Sequence, residues 1–253
     1  MGLHHDQDPR KDFSLAIVGG GLGGLCLAVA LCEHKIPLHV YESAPSFSEI
    51  GAGVGLGPNA LRAMALLSPA IVQGYRRCET RNVSVAERDR FFNFRYGMQR
   101  PSEDDGMEAG GLIADLRSGT VTSSVHRARF LGELVRLLPG GVASCGKRVV
   151  GIQEEEEGEG REGREGEGEG GKARKGGVVL QFADGTAARH DAVIGCDGIK
   201  SQVRKALLGD DHPASKAVFS GKCCYRGLAP VKKAIEILGE DLALESQMCK
   251  LSS

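Results

Sequence analysis

Residues 15–42 hold the feature that most constrains the fold. An apolar stretch, Leu15-Ala-Ile-Val18, runs into a Gly-x-Gly-x-x-Gly turn at Gly19, Gly21 and Gly24. A second apolar run follows to His34, then a third from Pro37 to Tyr41, closed by Glu42. This order predicts a strand, a tight turn, a helix, a parallel second strand and an acid at its end. Gly19 permits the sharp exit from the strand. Gly21 lets backbone approach a pyrophosphate that a Cβ would hold off, and Gly24 lets the helix pack close to the strand. The helix then offers unpaired N–H groups and the positive end of its dipole to phosphates. Glu42 falls where an acid accepts hydrogen bonds from a ribose. The pattern therefore points to a dinucleotide site. The alternative is a glycine-rich turn in another α/β protein, with Glu42 merely solvated.

The 253 residues, 41% of them hydrophobic, suffice for one sizeable core or two small ones. A net charge of −1 implies no general attraction to nucleic acid or to an anionic membrane. No stretch approaches the roughly 20 apolar residues of a membrane span. The polar start, with Asp6 where myristoylation needs Ser or Thr, carries no secretory or lipidation signal. A soluble, cytoplasmic protein is the expectation. Of the eight cysteines, Cys26 and Cys32 fall in the first helix and Cys196 ends an apolar strand, as small buried hydrophobes do. No metal site is expected, and His4 and His5 read as part of a tail.

Further along, Pro58 opens a helix through Leu67, and residues 79–97 suggest two strands, one including Phe91–Tyr96. A helix is predicted over Val125–Leu138, with Phe130, Leu131, Leu134, Leu137 and Leu138 at helical spacing. Residues 142–153 and 178–182 read as extended. Between them lies the Glu/Gly-rich tract 154–177, which has almost no apolar surface to bury. It is expected to be a disordered insertion at a hairpin tip. Residues 217–231 read as extended and 232–245 as helical.

A second constellation is Gly195-Cys-Asp-Gly-Ile-Lys-Ser-Gln-Val-Arg204. Asp197 ends an apolar strand and opens a helix, where it either caps helix N–H groups or faces a ligand. With the glycine turn, Glu49–Asn59, His126–Leu131 and Tyr225-Arg-Gly227, the chain resembles the flavin-dependent aromatic hydroxylases, those like salicylate hydroxylase in particular. The pieces occur in the family's order and span nearly the whole chain.

The resemblance implies an α/β fold, with a Rossmann-like FAD/NAD(P)-binding domain and a partial, mostly β substrate domain. After a flexible leader (1–12), the cofactor domain would comprise 13–78 and 112–208, and the substrate domain 79–111 and 209–253. It further implies that Gly19, Gly21 and Gly24 hold the FAD pyrophosphate, Glu42 the adenosine ribose, and Arg127 another part of the cofactor. Asp197 and Gly198 would form an element shared by FAD and NAD(P)H, braced by Arg204. The implied activity is NAD(P)H-dependent hydroxylation of a small, salicylate-like aromatic. No protein group stands out as a catalytic acid or base.

The family also carries a later Gly-Asp motif. Gly209-Asp-Asp-His-Pro213 is superficially similar, but it follows directly on the Asp-Gly helix and reads as the loop that ends it. The chain is therefore expected to stop within the substrate half, to bind FAD weakly and not to couple NAD(P)H oxidation to hydroxylation. The rival readings are an inactive or FAD-binding-only fragment and an NAD-dependent dehydrogenase.

Overall fold

The computed structural model describes residues 13–47, 53–97, 110–117, 123–155, 176–223, 227–245 and 247–250. The expectations for the leader, for most of the Glu/Gly tract and for Tyr225 and Arg226 fall outside them. The chain forms two compact units, residues 1–49 with 131–222, and residues 50–130 with 223–253.

The first unit is built on β1 (Leu15–Val18), α1 (Leu22–Glu33), β2 (Leu38–Tyr41), β8 (Ala143–Ser144) and β12 (Ala192–Gly195). The four strands form one sheet in the order β12-β1-β2-β8, with every pairing parallel. Each residue of β1 is buried, as a central parallel strand covered on both faces requires. The helix α1 covers the sheet with Gly24, Leu25, Cys26, Ala28, Val29 and Ala30 buried. Beyond its C-cap His34, Lys35 has a positive φ of 54° and an N–H bond to the Cys32 carbonyl, which turn the chain out of the helix.

A second sheet in this unit is an antiparallel meander of β9 (Val149–Glu155), β10 (Gly177–Phe182) and β11 (Ala187–His190). Val149, Leu180 and Phe182 from the meander pack with Ala16, Val18 and Tyr41 from the parallel sheet in one buried cluster. The flanks of the Glu/Gly tract are thus paired strands, joined up to Glu155 opposite Gly177. The helix α5 (Gln202–Leu208) follows β12 and ends at Gly209, φ 82°.

The second unit contains an antiparallel sheet of β3 (Gly53–Leu56), β7 (Ser123–His126) and β4 (Glu79–Thr80). A further sheet has the order β13-β5-β6, where β5 spans Arg90–Tyr96, β6 Leu112–Arg117 and β13 Gln247–Lys250. Two helices, α2 (Pro58–Leu67) and α3 (Pro69–Cys78), meet at Ser68, whose hydroxyl accepts from the Ala70 N–H and caps α3. Tyr75 packs edge-on to Phe130 at 5.5 Å and its hydroxyl meets Ser123 Oγ at 2.6 Å.

Several elements differ from the sequence reading. The helix α3 is additional. The helix expected over 125–138 is α4 (Arg127–Leu137), because residues 123–126 pair with β3 and β4 instead of coiling. Residues 217–223 and 227–230, expected to be extended strand, form none. Val218 and Phe219 lie 84% and 76% exposed with no strand partner among the described residues. The predicted 232–245 helix is divided at Gly239 into α6 (Val231–Leu238) and α7 (Glu240–Ala243). Residues 53–78, 110–117 and 123–130 lie in the second compact unit, where β3 and β7 form a sheet of their own.

Candidate functional site

The glycine turn joins β1 to α1, and the structure separates the reasons for its glycines. A Cβ on Gly19 would lie 2.3 Å from the Cys196 carbonyl oxygen, and the residue has φ 106°. A Cβ on Gly24 would lie 2.1 Å from the Gly19 carbonyl oxygen. Both glycines are therefore fixed by the chain itself, through the close approach of α1 and of β12 to the turn. Gly21 differs, because a Cβ there would meet nothing within 4 Å and its φ of −73° suits any residue. No contact among the described residues requires glycine at this position. The open space lies at the N-terminus of α1, which has no side-chain cap and no acid in its first turn. The first N–H groups of the helix have no partner within it, and the dipole places positive potential there. This uncapped cradle fits the pyrophosphate of a dinucleotide, so the residues present suit the FAD that the family resemblance implies.

Glu42 stands at the end of β2 beside the turn. Its Oε2 accepts from the Gly20 N–H at 2.7 Å, and its Oε1 accepts from the Ala44 N–H at 2.7 Å and from Ser43 Oγ at 3.1 Å. Among the described residues Oε2 takes one bond, and it keeps acceptor capacity for a hydroxyl. Gly20 was not singled out by the sequence, yet a Cβ on it would fall 2.5 Å from the Phe47 ring and 3.1 Å from Glu42. The signal was present: glycine fills a position that the motif leaves open.

Asp197 reaches the same place from β12. Its backbone N lies 2.8 Å from where a Gly19 Cβ would be. Its carboxylate accepts from Ser201 Oγ at 2.5 Å, from the Gln202 N–H at 2.6 Å and from the Val203 N–H at 3.2 Å. The side chain thus caps α5, with Ser201 adding a bond from the Arg204 N–H. Next to it, Gly198 holds φ 71° with open space where a Cβ would be. Arg204 donates to the carbonyls of Ile199 and Ser215, bracing the turn after Asp197. Gly19, Gly21, Gly24, Glu42, Asp197 and Gly198 are all in the first unit. Arg127 belongs to the second unit, exposed, in the first turn of α4.

Burial pushes the Cys26 thiol up to about 11, and burial followed by the charge of Asp197 raises Cys196, so both stay neutral thiols. Among the described residues no group of three His, Cys, Asp or Glu side chains suits a metal ion. Among them, too, no helix is long and apolar enough to cross a membrane.

No family model matches the chain. A 6-methylsalicylate 1-monooxygenase of Aspergillus terreus is 43% identical over 228 residues, covering 90% of this chain and 46% of that protein. The salicylate hydroxylase of Pseudomonas putida is 38% identical, covering 94% of this chain and 48% of that protein. A solved salicylate hydroxylase substrate complex matches with a TM-score of 0.65 at 29% identity, over 94% of this chain and 50% of that one. The chain is a homologue of the FAD-dependent, salicylate hydroxylase-like monooxygenases. It spans about half the length of the curated relatives it matches. Klebsiella pneumoniae HpxO, solved with FAD and uric acid, shares the fold alone, at 23% identity and a TM-score of 0.57 over 79% of this chain and 43% of that one. These relatives and the parallel sheet establish the α/β FAD-binding fold.

Proposed function

We propose that the chain carries the FAD-binding framework of an NAD(P)H-using monooxygenase that hydroxylates a small, salicylate-like aromatic. The observation that carries this reading is the open space at Gly21, before an uncapped helix and beside an acid at the end of β2. A glycine that nothing among the described residues requires is explained by a group from outside. The backbone at Gly21 and the first N–H groups of α1 take the pyrophosphate, and Glu42 accepts from the ribose. Asp197 holds the start of α5 so that the Gly198 turn keeps its left-handed conformation beside Gly19. When bound, FAD supplies the oxygen-transfer chemistry, while the protein positions it and excludes water. The relatives' names support the aromatic substrate, and the antiparallel meander after β8 sets the chain apart from a dehydrogenase built of repeated βαβ units.

The test is a visible absorbance spectrum of the purified chain titrated with FAD, then turnover with NADH or NADPH and a salicylate-like phenol. A bound flavin spectrum and a hydroxylated product are the results expected of the complete site. Flavin uptake without product reduces the reading to FAD binding, and tight NAD without flavin overturns it.

A further inference from the structure

We propose that Glu42 is also a positioning residue, which sets the phosphate-facing turn through the Gly20 N–H, apart from any contact with ribose. This rests on the FAD site proposed above and assigns Glu42 a second action within it. The carboxylate is held from both ends. The Glu42 backbone is fastened to the β8 region, its N–H donating to the Ser144 carbonyl and its carbonyl accepting from the Lys147 N–H. The Ala44 N–H then orients Oε1, leaving Oε2 on the Gly20 N–H at 2.7 Å.

Gly20 lies between the residue that leaves β1 and the residue that opens α1. Its amide plane therefore determines how Gly21 and the first turn of the helix face outward. The Phe47 ring also adjoins Gly20, 2.5 Å from where a Cβ would be, so an anionic acceptor and an aromatic ring both pack on the turn. An N–H bonded to a carboxylate is a strong, charge-assisted pair, well suited to fixing a turn with no side chains of its own. It also directs the Gly20 N–H to Glu42, leaving phosphate recognition to the N–H groups at the start of α1. Glu42 thus acts on the two ends of the adenosine diphosphate in different ways, by direct acceptance at the ribose and through Gly20 at the phosphates.

The experiment compares the 253-residue chain with Glu42→Ala and Glu42→Gln. FAD affinity is measured alongside that of an FAD analogue lacking the adenosine 2′- and 3′-hydroxyls. Exchange of the Gly20 amide is followed in the flavin-free proteins. Losing the charge-assisted bond should weaken analogue binding about tenfold in Glu42→Ala. Faster exchange at Gly20 should accompany it, with both effects partly restored in Glu42→Gln, which keeps an oxygen acceptor. A loss seen with FAD and absent with the analogue would leave ribose contact alone and overturn the inference. If the parent chain takes up no FAD, the function proposal fails and the Gly20 amide decides by itself. Faster exchange in Glu42→Ala then sustains the hold on the turn, and unchanged exchange removes it.

Discussion

At the residue scale, the glycine turn can be divided by experiment into positions that serve the fold and a position that serves a ligand. Gly24→Ala places a methyl 2.1 Å from the Gly19 carbonyl, and Gly19→Ala adds strain at φ 106° to a backbone clash. Each should destabilise the flavin-free chain by about 2–4 kcal/mol, read as a lower urea midpoint. Gly21→Val meets open space at an ordinary φ, so the same midpoint should move by less than about 0.5 kcal/mol. Its FAD affinity should nevertheless fall at least about a hundredfold, because the side chain occupies the approach to the backbone. Unchanged affinity in Gly21→Val would remove the pyrophosphate from this turn. The sequence made Gly19, Gly21 and Gly24 legible because their requirement is local, within a few residues of one strand and one helix. It could not separate them, since the atoms that crowd Gly19 come from Cys196, far along the chain. Asp197 was readable as cap or ligand. Only the fold shows its carboxylate turned onto α5.

At the element scale, β2, β8 and β11 carry a titratable cluster that no motif announces. His39 on β2 meets Ser144 on β8 at 2.8 Å, and Tyr41 on β2 meets His190 on β11 at 2.8 Å. Burial holds both imidazoles below the usual histidine range. For His190 the charge of His39 acts with burial, and Asp191 opposes it. Unfolding frees each ring to take up a proton at its ordinary value, so the unfolded state binds more protons just below that value. Stability should therefore be complete above about pH 6.5 and decline as pH falls toward the folded-state values. Melting temperature followed from pH 7.5 to 5 checks this, and His39→Gln with His190→Gln should flatten the decline. The hairpin β9–β10 supports a second expectation. Its ladder is complete at Glu155 opposite Gly177, so replacing residues 156–175 with a short turn should shift the melting temperature by no more than about 3 °C. A larger loss would mean that the tract contributes to packing. The hairpin was legible because a compositional break interrupts two apolar runs. The strand β7 was not, since Ser123-Ser-Val-His126 has no apolar run and is extended only by pairing with β3 and β4.

At the scale of the whole molecule, the two units differ in how much apolar surface they cover. In the first, strands from two sheets interlock around Tyr41, Leu180 and Phe182, each nearly inaccessible. In the second, the β5–β6 hairpin leaves Phe91 at 48%, Leu112 at 54%, Ile113 at 41% and Leu116 at 41% exposure. Exposed polar partners do not compensate. Asp115 accepts from Arg90 across the hairpin at 2.8 Å and from Arg117 on its own strand at 3.0 Å, and the apolar side chains stay uncovered. The sequence shows why β6 was missed: Leu112-Ile-Ala-Asp-Leu-Arg117 neither alternates nor is continuously apolar, and its pairing with β5 shifts twice along its length. Exposed apolar side chains favour association, and strand edges add a template for pairing. The isolated 253-residue chain should therefore self-associate at micromolar concentration and enhance the fluorescence of an apolar dye. Leu112→Lys with Leu116→Lys places charge on exposed positions at little cost to stability. These changes should shift sedimentation toward the monomer and lower the dye signal, while flavin uptake at the Gly21 turn in the other unit stays as it was. A parent chain that sediments as a single monomer and binds no dye would show that this surface is covered in solution.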